Sequence, residues 1–196
     1  MVLLLSSPRV ILIAGQKRSG KDTFGKLLAE SLEADGSTVS TLAFAAPMKQ
    51  LLAVTLGISL EQLDTYKNSP MEYLLVHTDR VPHSREYTAN YRSMLQRLGT
   101  EAAKPIFGDN VWAELAAKQV AEATTDYVII TDFRFPAEAT AFNSPLAIRI
   151  TRPGLRTDTH SSETALADYS FDAVIDNSST LAALTSKAKH TAEYFQ

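Results

Sequence analysis

GQKRSGKDT, Gly15 to Thr23, stands directly after a short apolar run, RVILIAG (Arg9–Gly15), and directly before a stretch with helical spacing. Gly15, Gly20 and Lys21 follow the pattern G-x-x-x-x-G-K. In such a loop successive backbone N–H groups curl around phosphate oxygens and the lysine reaches the β- and γ-phosphates. The helix that follows adds the positive end of its dipole. A glycine turn between strand and helix is the plainer alternative. The buried strand before the motif and the amphipathic helix after it argue against that alternative. Lys17, Ser19 and Thr23 join Gly15, Gly20, Lys21 and Asp22 as candidate ATP contacts.

Asp22 departs from the usual pattern, which has Ser or Thr there to ligate Mg²⁺. A carboxylate is also a hard oxygen donor that suits Mg²⁺, directly or through water. It could instead act near the attacking phosphate, or be an acid favoured by the helix dipole. The dipole alone does not account for an acid beside a polyphosphate, where repulsion is unfavourable unless a cation intervenes. A metal-linked role is therefore expected, with the Thr23 hydroxyl as a further donor. Asp132, after four apolar residues in DYVIITD, is placed for a second acid at a strand end; an ordinary turn residue is the alternative. Arg134 follows two residues on, at the carboxyl end of the sheet where α/β proteins bind ligands.

Working outward, the strand and helix patterns alternate. Phe24, Leu27, Leu28 and Leu32 repeat at helical spacing, and Asp35-Gly36 ends that helix. STVSTLAF reads as a second strand and APMKQLLAVTL as a helix with Pro47 in its first turn. Residues 57–90 are polar with no clear period and read as an irregular insertion or acceptor-side cap. NYRSMLQRLGTEAA carries Tyr91, Met94, Leu95 and Leu98 on one helical face. DNVWAELAAKQVAEA is expected to be a helix capped by Asp109 or Asn110, with Trp112, Leu115 and Val120 towards the core. DYVIITD, PLAIRIT and FDAVIDN are strands, the second nearer the sheet edge, and TLAALTSKAKHTAEYF is the closing helix. The pattern predicts an α/β fold in one domain, residues 1–196, with a mainly parallel five-stranded sheet flanked by helices.

The 196 residues suit one domain, and the net charge of −3 provides no basic field for a nucleic-acid polymer. With no cysteine, disulfides and thiolate metal sites are excluded. The start MVLLLSSPRVILIAG lacks a basic segment and is interrupted by Ser6, Ser7 and Pro8, so it does not read as a signal peptide. No apolar run is long enough to span a bilayer, and a cytoplasmic location is expected. Phosphoryl transfer needs cations around the moving group. Arg152 and Arg156, in a Pro/Gly loop after a strand, could form a lid over ATP, and Arg92 could hold an acceptor phosphate bidentately. For any one arginine, a solvated surface charge is the ordinary alternative.

GQKRSGKDT, YRSMLQRLGTE, ITDFRFPAEA, RITRPGLRTDTHSSETAL and FDAVIDNSSTLAAL together resemble the bacteriophage deoxynucleoside monophosphate kinases, in family order from Gly15 onward. Residues 57–90 find no match there. The resemblance implies a P-loop kinase fold and transfer of the ATP γ-phosphoryl group to a dNMP, giving dNDP and ADP. It makes Asp22 a family variant of the loop and not a damaged motif. It assigns ATP phosphates to Lys21 and the loop amides, and the metal and acceptor region to Asp22. Arg92 and Gln96 match the acceptor-side helix, and Asp132 and Arg134 match the acidic strand end. Arg152, Arg156, His160 and Glu163 match a lid over residues 152–163, although HSSE also reads as a loop entering a serine-capped helix. Lys21, Asp22, Arg92, Arg134 and Arg152 are the expected catalytic set. Asp22, Arg92, Gln96, Asp132, Arg134 and Glu163 are the expected substrate contacts, and Asp22, Thr23 and Asp132 the Mg²⁺ donors. ATP and a dNMP are the expected partners; a homodimer is left open. Location would be the host cytoplasm for a phage protein. Animal-type phosphomevalonate kinases share the SGKD loop, dephospho-coenzyme A kinases share the wider fold, and a nucleotide-binding sensor without turnover is the rival of another class.

Overall fold

The computed structural model describes residues 7–66, 73–76, 87–155 and 164–195. The chain divides into two compact units, one of Met1–Phe44 with Trp112–Gln196 and the other of Ala45–Val111.

The first unit is built on β1 (Arg9–Gly15), β2 (Val39–Leu42), β5 (Tyr127–Phe133), β6 (Leu146–Thr151) and β7 (Ala173–Asp176). These form one sheet in the order β2-β5-β1-β6-β7, with every pair parallel. The apolar runs have side chains on both faces, as the period of two demands. Val10, Leu12, Ala14, Val128 and Ile130 enter one core cluster; Ile11, Ile13, Tyr127 and Ile129 enter the other. Helix α1 (Lys21–Ala34) and the closing helix α8 (Leu181–Phe195) cover the second face through Phe24, Leu28, Leu32, Leu184, Ala188 and Ala192. Helix α6 (Val111–Glu122) covers the first. Its buried stripe is Ala113, Ala116 and Val120, while Trp112 is half-buried and Leu115 is 39% exposed. Of the expected core residues on this helix, only Val120 is buried. The small alanines let the helix lie close to the sheet, which turns Leu115 outward.

β1 is the strand at which the chain changes direction. β2 and β5 lie on one side of it, β6 and β7 on the other. In open parallel sheets such a switch point opens a crevice at the carboxyl ends of the strands. Gly15–Thr23 starts at that end of β1.

The second unit contains α2 (Ala46–Leu56), α3 (Leu60–Thr65), β3 (Tyr73–Val76), β4 (Tyr87–Asn90), α4 (Tyr91–Gln96), a π-helical stretch (Arg97–Ala103) and α5 (Lys104–Phe107). Its core is small: Leu52, Ala53, Leu63 and Tyr91, with Met94, Leu95 and Leu98 packed against it. The face expected for NYRSMLQRLGTEAA is the face that packs, but the helix widens to π geometry after Gln96. Buried Gly99 lies there against Met48, where a side chain would collide with the thioether. Within residues 57–90, α3 carries a capping box in which Ser59 and Gln62 each satisfy the other's backbone N–H. β3 and β4 pair antiparallel. Neither element is long enough to display a period in the sequence.

Candidate functional site

The loop Gln16–Gly20 is a tight turn whose Ser19 N–H donates to the Gln16 carbonyl at 3.0 Å. Arg18 and Gly20 have φ of 67° and 94°, left-handed values that glycine adopts without a Cβ penalty. Gly15 is required for a different reason. A Cβ there would sit 2.5 Å from Ser19 Oγ and 2.7 Å from the Ile150 carbonyl. Ser19 is 1% exposed, and its hydroxyl has no hydrogen-bond partner among the described residues. The first helical hydrogen bond, Phe24 N–H to Gly20 C=O at 2.8 Å, starts α1 directly from the loop. α1 packs tightly on the sheet, since a Cβ on Gly25 would meet the Thr131 methyl at 2.6 Å.

Lys21 Nζ lies 3.8 Å from Asp22 Oδ2, with the lysine side chain 15% exposed and the aspartate 68% exposed. The ammonium is thus held at the loop mouth while the carboxylate faces solvent. Asp22 and Thr23 both present oxygen donors outward from the first turn of α1. This donor set fits a hard cation such as Mg²⁺, which takes one or two protein oxygens and completes its shell with phosphate and water. Lys17 is exposed on the same loop.

Sheet register brings the other candidate residues of this unit to the same carboxyl end of the sheet. Ala14 pairs with Phe133, and Gly15 with Ile150. Asp132 and Arg134 therefore leave the strand on one side of the loop, and Arg152 leaves the strand on the other. β5 contains an irregularity at this point. Leu12 pairs with Ile130 but Ala14 pairs with Phe133, so two steps of β1 face three of β5. The extra residue rotates Phe133 onto the face it shares with Phe44. Asp132 Oδ1 accepts from the Phe44 N–H at 2.9 Å, tying the exit of β2 to the end of β5.

The turn after β5 is held by Glu138, the third residue of α7 (Pro136–Ala139). Its Oε2 accepts from the backbone N–H of Arg134 at 2.8 Å and of Phe135 at 3.0 Å. Burial pushes the Glu138 carboxyl up to about 7; the two N–H groups pull the other way, the Asp132 charge adds to the rise, and Arg134 opposes it. On the other side, Arg152 is exposed at the start of the expected lid. Arg156, His160 and Glu163 lie outside the described residues.

Arg92 and Gln96 belong to the second unit, on α4. The structure describes only the backbone of Arg92. Near them Lys49 donates to Asp64 at 3.1 Å, and burial raises the pKa of the Tyr91 phenol, with Lys49 opposing.

Two residues of this site were beyond the reach of the sequence reading. Glu138 is four residues beyond Arg134, and its signal is the E that follows P-A in RFPAE, a helix-start spacing. Asn177, just past β7, donates from Nδ2 to the Ser19 carbonyl at 2.8 Å. It lies 158 residues away in the chain, so no local pattern reports it.

The sequence profile of a family described as deoxynucleotide monophosphate kinase matches residues 62–188, more than half of the chain. The chain is similar to the deoxynucleotide monophosphate kinase of Enterobacteria phage T4, 27% identical over 241 residues that cover 93% of this chain and 98% of that protein. It is also similar to the deoxynucleoside-5'-monophosphate kinase of Escherichia phage T5, 23% identical over 168 residues, covering 63% and 67%. The solved structure of APE1195 overlaps with a TM-score of 0.43 and 14% identity, covering 96% of each chain.

Proposed function

We propose, on the premise that this chain belongs to the deoxynucleotide monophosphate kinase family, that it transfers the γ-phosphoryl group of ATP to a deoxynucleoside monophosphate. One observation of the fold carries the site assignment. The loop Gly15–Thr23 leaves β1 between two strand ends, one bearing Asp132 and Arg134 and the other Arg152.

In this reading an oxygen of the acceptor phosphate attacks the γ-phosphorus in line. The bond from that phosphorus to the β–γ bridging oxygen breaks, and the electron pair leaves on ADP. No covalent intermediate is needed, because positioning and charge stabilisation supply most of the acceleration. Lys21 and the loop amides hold the β- and γ-phosphates. Arg152 covers the transferring group from the far strand, and the resemblance of RITRPGLRTDTHSSETAL assigns Arg156 to the same task. Arg134 meets the acceptor phosphate, and the resemblance of YRSMLQ assigns Arg92 and Gln96 to the same partner. Glu163 is assigned to the acceptor by the same resemblance. Asp22, Thr23 and Asp132 would hold Mg²⁺, which when bound would supply positive charge against the charge that develops on the phosphates. Among the described residues no helix is long and apolar enough to cross a membrane. The phage relatives support a location in the host cytoplasm.

The test is ADP production from Mg-ATP against dTMP, dGMP, dCMP, dAMP, the ribonucleotides and phosphomevalonate. Rapid turnover with one or more dNMPs is expected. Turnover with phosphomevalonate alone would keep the loop chemistry and move the acceptor. ATP binding without turnover on any acceptor would leave a sensor.

A further inference from the structure

FDAVIDN ends on a residue that phosphoryl transfer, as described above, leaves without a role. Asn177 is half-buried just beyond β7, the edge strand of the sheet. Its backbone is held from two directions. Its N–H donates to the Thr151 carbonyl at 2.8 Å, and the preceding residue, Asp176, offers its carbonyl to Lys187 of α8. The side chain is thus aimed before any ligand arrives. Its Nδ2 donates to the Ser19 carbonyl at 2.8 Å. It also lies directly against Gly20, where any Cβ would collide with it.

We infer that Asn177 is a positioning residue for the phosphate loop: it fixes the Ser19–Gly20 peptide and ties the loop to the strand end from which Arg152 departs. The inference rests on the reading of Gly15–Thr23 as the ATP loop. Its physical basis is the planarity of the peptide. In a trans unit C=O and N–H point in opposite directions. Drawing the Ser19 carbonyl towards Asn177 therefore turns the Gly20 N–H away from it, as a donor set for an anion. Without that bond the peptide can rotate, and a phosphate would have to pay the ordering that Asn177 supplies in advance. Because Asn177 also donates to Thr151, the residue before Arg152, the ATP loop and the base of the arginine-bearing loop share one anchor.

The experiment compares Asn177→Asp, Asn177→Ala and Asn177→Ser with the intact protein. ATP affinity is measured directly, KM for ATP and for the dNMP by steady-state kinetics, and folding by thermal melting. Aspartate keeps the shape but replaces the donor with an acceptor facing a carbonyl. Asn177→Asp is expected to weaken ATP binding and raise KM for ATP about tenfold, the scale of a buried carbonyl left unpaired. KM for the dNMP should stay within about twofold. Asn177→Ala should fall between, and Asn177→Ser, which retains a donor, should recover part of the affinity. Unchanged ATP affinity in Asn177→Asp, with or without a lowered melting temperature, would overturn the inference. If the aspartate variant fails to fold, the Ser and Ala variants decide: equal ATP affinity in both would overturn it. Lys21→Ala separates the two readings. Normal ATP affinity in that variant sinks the ATP-loop assignment itself, whereas loss there with normal affinity in Asn177→Asp sinks the role of Asn177 alone.

Discussion

The unit of Met1–Phe44 with Trp112–Gln196 buries apolar side chains on both faces of a five-stranded parallel sheet. The unit of Ala45–Val111 gathers one small cluster around Leu52, Ala53, Leu63 and Tyr91. The difference bears on chemistry as well as on stability. In the first unit a contiguous loop, Gly15–Thr23, carries most of the groups assigned to ATP, and a rigid sheet fixes the residues beside it. In the second, Arg92 and Gln96, two of the residues assigned to the acceptor, stand on a short helix that runs into a π-helical stretch. Wide turns of this kind recur at functional sites, where helical regularity is given up to aim side chains. Nucleotide binding and acceptor choice are therefore expected to respond separately to substitution.

The largest effect should come from Lys21→Ala. Turnover should fall on the order of a hundredfold to a thousandfold, as when one preorganised cationic donor is removed, with the melting temperature nearly unchanged. Near-normal activity would remove the phosphate-loop assignment and with it the functional contrast between the units.

Leu63 is fully buried in the second unit. Leu63→Ala should destabilise by about 2–5 kcal/mol, measured by urea unfolding, from lost burial and the cavity it leaves. If ATP affinity at low temperature fell with it as steeply as in Lys21→Ala, the two regions would not be energetically separable.

Arg92→Ala sharpens the same contrast from the acceptor side. KM for the dNMP should rise about tenfold, the scale of one lost charge-assisted hydrogen bond, while ATP affinity stays level. An unchanged dNMP saturation curve would remove the role assigned to Arg92.

The most gradual effect is a slope with pH. The Glu138 carboxyl titrates near 7 in the folded chain, above its ordinary value of 4.5, mainly because it is buried. A raised folded pKa means that its contribution to stability is complete below the ordinary value and is lost as pH rises through about 7. The chain should therefore lose on the order of 2 kcal/mol between about pH 5 and pH 8 from this group, and Glu138→Gln should flatten that decline. Unfolding curves of the two proteins with the same pH slope would show that Glu138 is not the source.

Legibility divides along the same line. β1, α1, β2 and α2 were readable because their apolar residues recur with a clear period and are stopped by Gly, Asp or Pro. The observed α2, Ala46–Leu56, coincides with the expected stretch. Asp132 and Arg134 were readable as strand-end residues, and Arg152 as the start of a loop. Leu115 was misjudged because a helical face has two candidate stripes, Leu-rich and Ala-rich, and only the distance to the sheet chooses between them. α3 and the β3–β4 pair escaped because four to six residues are too few to show a period. The extra residue in β5 escaped because a bulge is a property of pairing, invisible in either strand alone.

The sequence by itself determined the strand–loop–helix unit, the G-x-x-x-x-G-K spacing on which the phosphate-loop proposal rests and the parallel α/β class, since each depends on neighbours in the chain. Only the tertiary structure decided that Asn177 supports the loop, that Asp132 ties β5 to Phe44 and that Glu138 holds the turn bearing Arg134. Asn177 and Asp132 reach partners far away in the chain, and the Glu138 clamp depends on the burial and turn geometry of its surroundings. Contacts of that kind arise from packing, which orients one polar side chain towards one backbone group and shuts out the water that would otherwise compete for it.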